Sequence, residues 1–319
     1  MKTFAWILPL ALLFVVVIGA QAPPQGSPNR PAWAFLVPDK EQPPSEESTG
    51  PKHIPGSAKA YTAAQIDDLA NPPDWFPDEH GPLPKVVQGG MGPSMRACGA
   101  CHLMSGHGHP ESATLAGLPV EFLVRQMADF KNGTRTDPAV MNPIAKLVSD
   151  EDARKAAEFF AALKPATWVR VVEAGSVPRS FVSARGRMRF PLPGGGMEPL
   201  GNRIVELPED AARAESRDPK SGFVAYVPIG SIRKGEQFVM TGGAGKSINC
   251  TICHGDGLKG LGDVPRLAGL HPLYIARQLY GFQTGQYTGT SAALMKKVVA
   301  NLNADDMLAL SAYAASLAP

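Results

Sequence analysis

Apolar side chains recur with helical spacing in two separate stretches of the chain. Their apolar positions are Phe122, Met127 and Phe130 in the first stretch and Tyr274, Leu279 and Phe282 in the second. Such spacing places apolar residues on one face of an amphipathic helix. The last helix of each stretch is predicted to start at Ser149 or at Asn303. Both residue types are favourable helix N-caps, and acidic residues follow them in the first turn. The pattern predicts a mainly α-helical fold with two related parts.

The N-terminus carries an uncharged, apolar run over residues 4–20. Lys2 precedes this run, and the small residues of Ala20-Gln21-Ala22 end it. A basic start, an apolar core and small residues are typical of a secretory signal peptide. The run is longer than a usual signal core and just short of a comfortable membrane span, so a cleaved signal and a retained anchor both stay open. In either case we expect the rest of the chain to be exported.

A proline-rich extension follows the apolar run. Residues 23–84 hold fourteen of the prolines, and the part up to about Pro55 is predicted to be an extended tether. Thr62 and Gln65 have the spacing of a capping box, which predicts a short helix over residues 61–70.

Two aromatic residues, Trp75 and Phe76, lie in the proline-rich segment that ends this short helix. We expect them to pack onto the first globular unit; a role in docking a partner is the alternative.

Residues 166–230 have a different pattern. Short β-type runs occur at 167–172, 203–207 and 222–227, and proline and glycine separate them. About 65 residues with so few apolar side chains make a poor independent core. We therefore expect a strand-containing connector that packs against one or both helical parts.

An internal repeat relates the two helical parts. Cys98-Gly99-Ala100-Cys101-His102 recurs as Cys250-Thr251-Ile252-Cys253-His254. Further matched positions are Leu115 to Leu118 with Leu267 to Leu270, Arg125-Gln126 with Arg277-Gln278, Phe130 with Phe282, Met141 with Met295, Phe159 with Tyr313, and Leu163 with Leu317. A shared series of this kind predicts two copies of one small helical domain.

The repeated motif carries the chemistry. The chain has four cysteines, Cys98, Cys101, Cys250 and Cys253. They form two C-x-x-C pairs, and His102 and His254 follow them directly, which is the pattern of covalent c-type haem attachment. The cysteine sulfurs would form thioethers, and the histidines would bind the iron. A thioredoxin-like pair is disfavoured because neither motif lies at a predicted strand-to-helix turn of a βαβ unit. A shared zinc site would leave the repeat unexplained.

A methionine is the expected sixth ligand of each iron. Met141 and Met295 occupy the same position of the repeat, each on a predicted loop before the final helix, so we assign them as axial ligands. The alternative is that they only cover the haem edge. Met104 is too close to the proximal histidine to reach the opposite face, and Met127 and Met307 are better explained as helix core residues.

The remaining histidines have no repeated partner. His107 and His109 align with a lysine and a leucine in the second copy, so we interpret them as surface-loop residues. His53, His80 and His271 receive the same interpretation.

The ordered motifs, from C-x-x-C-H to the methionine and the final helix, resemble a class I cytochrome c, and the tandem form resembles the di-haem cytochrome c4 type. The resemblance covers about residues 86–165 and 231–319. It implies two haem c groups, a periplasmic location, and electron delivery between a donor complex and an oxidase or reductase. It also implies that Pro265 accepts a hydrogen bond from the proximal histidine; because Ala113 stands at the aligned position, we expect the two haem potentials to differ.

The predicted architecture is mainly α, with two class I cytochrome c domains in tandem, a β-containing connector and a Pro-rich N-terminal extension. Its boundaries are 1–22 for a signal peptide or membrane anchor, 23–85 for the extension, 86–165 for haem domain 1 (unit 1), 166–230 for the connector, and 231–319 for haem domain 2 (unit 2).

The predicted function is single-electron transfer between redox proteins, not an enzyme activity. A net charge of +2 gives no indication of nucleic-acid binding, and we expect no small-molecule substrate. The alternatives are a cytochrome subunit of a membrane oxidoreductase complex, anchored through residues 4–20, and a di-haem peroxidase with one open iron position.

Overall fold

The computed structural model describes residues 29–44, 50–89, 92 and 95–319. The predicted signal or anchor at residues 1–22 lies outside this range. Within it, no helix combines the length and the apolar character that crossing a membrane requires.

The described residues form a mainly helical protein with a few short strands. Its α-helices are α1 (Ala63–Asp67), α2 (Lys85–Gln88), α3 (Cys98–His102), α4 (Val120–Asn132), α5 (Met141–Leu147), α6 (Asp150–Ala162), α7 (Ala211–Glu215), α8 (Ser231–Thr241), α9 (Thr251–His254), α10 (Pro272–Gln283), α11 (Ala292–Val299) and α12 (Ala304–Ser316). Its strands are β1 (Val169–Glu173), β2 (Ser176–Pro178), β3 (Ser180–Val182), β4 (Arg189–Pro191), β5 (Met197–Pro199), β6 (Val205–Pro208) and β7 (Phe223–Val227).

The last helix of each unit begins where its cap residue predicts. The Ser149 side chain accepts a hydrogen bond from the backbone N–H of Asp152 at the start of α6 (3.0 Å). Asn303 accepts one from the N–H of Asp306 (2.9 Å), and the Asp306 carboxylate accepts from the N–H of Asn303 (3.0 Å). These contacts satisfy N–H groups that the helix itself leaves unpaired, so the prediction for both helix starts is confirmed.

The two units have matching cores. Their shared inner positions are fully buried, with exposures of 0% for Ala116 and Ala268, 4% and 5% for Leu118 and Leu270, and 7% and 5% for Leu123 and Ile275. Leu118 and Leu123 pack with α6 in unit 1, and Ala268, Leu270 and Ile275 pack with α12 in unit 2.

The strands lie between the units in sequence and contact them in space. In the three-stranded sheet, β7 pairs with β1 in parallel and with β6 antiparallel, whereas β2–β5 and β3–β4 are separate antiparallel pairs. Trp168 and Phe223 belong to a buried cluster that also contains Leu103 of unit 1 and Leu273 and Leu308 of unit 2. Apolar side chains from all three parts therefore complete one core.

The part of the extension that the structure describes first, from residue 29, is not a tether. Ala34 is fully buried, and its carbonyl accepts a hydrogen bond from Arg277 Nη1 (2.8 Å). The Phe35 ring packs edge-on against Tyr280, with ring centres 5.5 Å apart. The prediction of an extended tether was wrong here because Trp33, Phe35 and Leu36 pack against the buried cluster that contains Trp168 and Phe223.

The second part of the extension folds as a small cluster. The predicted capping box of Thr62 and Gln65 is present, although α1 is shorter than the predicted helix. Trp75 is 2% exposed, packs with Ile54 and Ile66, and donates from its indole N–H to the carbonyl of Ser216 (2.8 Å). We expected Trp75 to pack onto unit 1, but this contact joins the extension to the connector. The reason is that the buried indole N–H needs a hydrogen-bond acceptor, and the carbonyl of Ser216 supplies one.

Candidate functional site

Each C-x-x-C-H motif forms one turn of helix. In unit 1 the turn is α3, and in unit 2 Cys250 is the N-cap of α9. Two cysteines three residues apart on a helical turn lie on the same face. The chain then turns sharply after the histidine, with positive φ at Leu103 (61°) and at the matched Gly255 (75°). Both turns thus present two sulfurs and an imidazole together.

A backbone carbonyl orients each of the two histidines. His102 Nδ1 donates to the carbonyl of Ala113 (2.8 Å), and His254 Nδ1 donates to that of Pro265 (2.9 Å). A carbonyl can only accept, so Nδ1 carries the proton and Nε2 keeps its lone pair. Burial lowers the pKa of both imidazoles, which favours the neutral form. Neither Nε2 has a hydrogen-bond partner in the described part of the chain, as an iron ligand requires.

These two contacts correct one expectation. The Pro265/Ala113 difference was expected to give the two histidines different hydrogen bonding. The acceptor in both units is a backbone oxygen, which proline and alanine supply equally well, at 2.9 Å and 2.8 Å. A difference in haem potential does not follow from this substitution.

The two matched methionines lie in helices, not in loops as predicted. Met141 is the first residue of α5, and Met295 lies inside α11. Both are half-buried, and Met295 packs at the edge of the unit 2 core, as Cys250 does. Their role as axial ligands stays a prediction. Met307, 0% exposed, is a core residue as interpreted.

A set of half-buried apolar side chains repeats in both units. The matched pairs are Leu115 and Leu267, Phe122 and Tyr274, Met127 and Leu279, Phe159 and Tyr313, and Leu163 and Leu317. All of them pack on their unit's core yet remain partly exposed, whereas the inner positions of the repeat are fully buried. Partly exposed apolar surface repeated at the same positions fits a large flat apolar group. The residues present therefore fit haem c in both units.

The thiol chemistry is unlike that of a redox-active cysteine pair. Burial raises the pKa of Cys98 to about 12 and that of Cys250 to about 11. Burial also raises the pKa of Cys101, and none of the four cysteines forms a disulfide. Thioredoxin-like pairs need a lowered thiol pKa, so the electrostatics disfavour that alternative. A cysteine whose sulfur forms a thioether bond to haem has no ionisable thiol in the mature protein, so a lowered thiol pKa is not required there.

Several histidines are more buried than interpreted. His107 is 7% exposed and stacks on Trp168 (ring centres 4.9 Å apart), and its Nε2 accepts from the N–H of Ala166 (3.1 Å). Burial lowers its pKa to about 4, and that of His109 to about 3. The surface-loop interpretation was wrong for both because the connector covers the loop that follows α3.

The same correction applies to His271, which is 1% exposed. Its Nδ1 pairs with the carboxylate of Glu206 on β6, itself 1% exposed. The pair lies where β6 meets α10. Nothing in the sequence signalled it, because the two residues are 65 positions apart.

The interface between the units is built partly from the repeat itself. Arg135 donates hydrogen bonds to Gln126 of unit 1 and to the matched Gln278 of unit 2 (Oε1, 2.6 Å). It also donates to the Tyr274 hydroxyl (3.3 Å). The repeated Arg-Gln pair in the sequence was the available signal for this contact. Thr136 and Thr288 add backbone hydrogen bonds across the same junction (3.2 and 2.6 Å).

The repeated turns, the oriented histidines and the matched apolar edges are features that c-type cytochromes have. No family model matches the chain. It is 27% identical over 210 residues to a thiosulfate dehydrogenase electron acceptor of Thiomonas intermedia (strain K12), an alignment that covers 65% of this chain and 71% of the relative. It is 27% identical over 220 residues to cytochrome c4 of Pseudomonas aeruginosa, covering 68% and 81%.

Among solved structures, thiosulfate dehydrogenase (TsdBA) from Marichromatium purpuratum matches with a TM-score of 0.49 and 28% identity. That match covers 73% of this chain but only 39% of the other. The two sequence relatives confirm the resemblance to tandem di-haem cytochromes of the c4 type, and they support an electron-transfer cytochrome.

Proposed function

We propose that the chain is a periplasmic cytochrome that holds two haems c and passes single electrons from a donor complex or dehydrogenase to a terminal oxidase or reductase. One observation carries the proposal. Both units contain a C-x-x-C-H turn whose histidine Nδ1 donates to a backbone carbonyl, which leaves Nε2 for iron.

Haem c supplies a one-electron iron couple when bound. Cys98 and Cys101 in unit 1, like their matched pair in unit 2, would fix the group covalently, and His102 and His254 would bind its iron. In this proposal Met141 and Met295 would complete the ligand set of each iron and leave no site for a substrate. The methionine at the same repeat position in both units supports a carrier over a di-haem peroxidase, which needs an open position on one iron.

The names of two relatives support a dehydrogenase as the electron donor. Proteins of Thiomonas intermedia and Stutzerimonas stutzeri, 27% and 24% identical to this chain, are named thiosulfate dehydrogenase electron acceptors. Export rests on the pattern of residues 1–22. The alternative, a cytochrome subunit of a membrane complex, gains no added support from the described residues.

The test is a count of haems and electrons. Protein matured in cells that attach haem c is expected to give two haems per chain in a pyridine haemochrome assay and to take up two electrons in a reductive titration. A Cys250→Ser/Cys253→Ser variant should keep one of each. Catalytic consumption of peroxide by the reduced protein, or fewer than two haems in the unaltered chain, would contradict the proposal.

A further inference from the structure

A histidine and a glutamate form a pair inside the protein, and neither belongs to the residues assigned to the haems. His271, the N-cap of α10, and Glu206 on β6 are each 1% exposed, and the ring Nδ1 hydrogen-bonds to one carboxylate oxygen, Oε1. Neither the ring Nε2 nor the second carboxylate oxygen, Oε2, has a hydrogen-bond partner among the described residues. Because buried polar atoms without partners are costly, stability alone is a poor explanation of this pair.

The pair lies where the connector meets both units. The Phe223 ring of β7 packs edge-on against His271, with ring centres 5.3 Å apart, and it belongs to the buried cluster that all three parts share. Tyr274, one of the partly exposed side chains that fit haem, follows His271 by one turn of α10. The Pro265 carbonyl that orients His254 lies in the segment that leads into the same helix. Solvent screens a buried charge only weakly, so a charge on the pair acts on the haem site of unit 2.

Other titratable side chains face the pair from both units. They are His107, His109 and Glu111 from the loop that follows α3, and Arg266 and Arg277 from unit 2. Burial lowers the pKa of His107 to about 4 and that of His109 to about 3, so both rings are neutral near pH 7. Arg277 forms an ion pair with Glu111 (2.9 Å), and their charges cancel.

Arg266 supplies a positive charge that no ion pair balances within the described part of the chain. Its side chain is 5% exposed and donates to the carbonyls of Ala116 (3.1 Å) and Ala268. Burial lowers its pKa to about 10, so the guanidinium stays charged at neutral pH. When Glu206 and His271 hold one proton between them, the pair carries one negative charge, which balances Arg266. A second proton would leave this buried region with one positive charge.

We propose that Glu206 and His271 form a proton-binding site that takes up one proton when the chain is reduced. An added electron puts negative charge into the interior and favours the second proton on the pair, because binding of the two is linked. This inference rests on the proposed electron-transfer function and adds proton uptake to it.

The step balances in charge and in atoms. The electron comes from the redox donor and converts ferric to ferrous iron, and the proton comes from water and binds to His271 Nε2. Glu206 stays ionised, so the product is an imidazolium–carboxylate pair joined by a charge-assisted hydrogen bond. Oxidation by the acceptor reverses both changes, and no bond between heavier atoms forms or breaks.

The test is a spectroelectrochemical titration of the haem-loaded full chain from about pH 5 to about pH 8. For one proton taken up with two electrons, the mean of the two midpoint potentials should fall by up to about 30 mV for each tenfold decrease in proton concentration. Glu206→Gln and, separately, His271→Gln should each lose more than about half of this dependence. The matched control is Glu111→Gln, which removes the neighbouring half-buried carboxylate and should keep the dependence.

A second measurement does not need the variants. In the NMR spectrum of the ¹⁵N-labelled, reduced and diamagnetic protein at neutral pH, both ring nitrogens of His271 should carry a proton. A neutral ring there would overturn the proposal, as would a potential that does not change with pH in the unaltered chain.

The variants separate this site from other groups that titrate, including the haem propionates, which all variants keep. An unchanged pH dependence in both Glu206→Gln and His271→Gln, or an equal loss in Glu111→Gln, would overturn the proposal. The same spectra report the haems themselves. Fewer than two reducible haems would refute the electron-transfer function, whereas two reducible haems without an effect of the pair would refute only the proton site.

Discussion

Replacing Arg135 with alanine tests whether the two units form one body. The guanidinium hydrogen-bonds to Gln126 on its own unit and crosses the interface to Gln278 (2.6 Å) and Tyr274 (3.3 Å). The short loop that carries it also contributes the backbone hydrogen bonds between the units.

The expected cost follows from the contacts that are lost. A hydrogen bond from a charged donor contributes about 1.5–3 kcal/mol, and two of these cross the interface. The contact to Tyr274 is long, so we take the low end and expect Arg135→Ala to weaken the interface by about 3 kcal/mol. Opening of the interface should then become about 100-fold more frequent.

Native-state hydrogen exchange on the haem-loaded protein measures this opening directly. The amides of Thr136 and Thr288 bond across the junction, and they should exchange about 100-fold faster in Arg135→Ala. The control is Arg154→Ala, which removes an exposed, solvent-screened ion pair to Glu121 (2.9 Å). Equal exchange of these two amides in both variants would refute the reasoning.

Three further predictions follow from other contacts. Pro265→Ala keeps a backbone carbonyl as the acceptor for His254. The unit 2 haem potential in a redox titration should therefore move by much less than ~59 mV, which corresponds to a tenfold change in a one-electron equilibrium constant. A larger shift would show that the proline itself sets the contact. Asn303→Ala removes a capping box and should lower the free energy of unfolding of unit 2 by about 1 kcal/mol in urea titrations; no change would mean that the cap is dispensable. Burial holds the pKa of His107 at about 4, below the ordinary 6.5. The unfolded chain therefore takes up the proton first, and stability should fall as the pH drops from about 6.5 to about 4. Thermal unfolding across that range should show a weaker pH dependence in His107→Phe; an unchanged dependence would assign the effect to other groups.

Features that depend on neighbouring residues could be predicted from the sequence. Helix caps such as Asn303 are read from a few neighbouring residues, and the capping box at Thr62 formed as its spacing predicted. The internal repeat located both C-x-x-C-H turns, because equal spacing from a shared motif needs no knowledge of the tertiary structure. Sequence relatives then confirmed the resemblance to cytochrome c4.

Features that depend on distant partners were missed. Nothing local to His271 predicts that Glu206 lies against it, and His107 resembles a surface residue until Trp168 stacks on it. The segment around Ala34 has a tether's composition, but its few apolar residues find a partner surface on α10. The acceptor of His102 is a further case, since the contact uses a backbone oxygen that every residue has.

The central claim is that two equivalent haem irons are each held by a histidine and a methionine. The most direct measurement is an optical redox titration of the haem-loaded protein that includes the near-infrared band of methionine bound to ferric iron. We predict two six-coordinate haems that both show this band and titrate at comparatively high potential, with the band halved in Met141→Ala and in Met295→Ala. One haem without the band in the unaltered protein, or one that becomes high-spin on reduction, would contradict the account and favour a peroxidase-like enzyme.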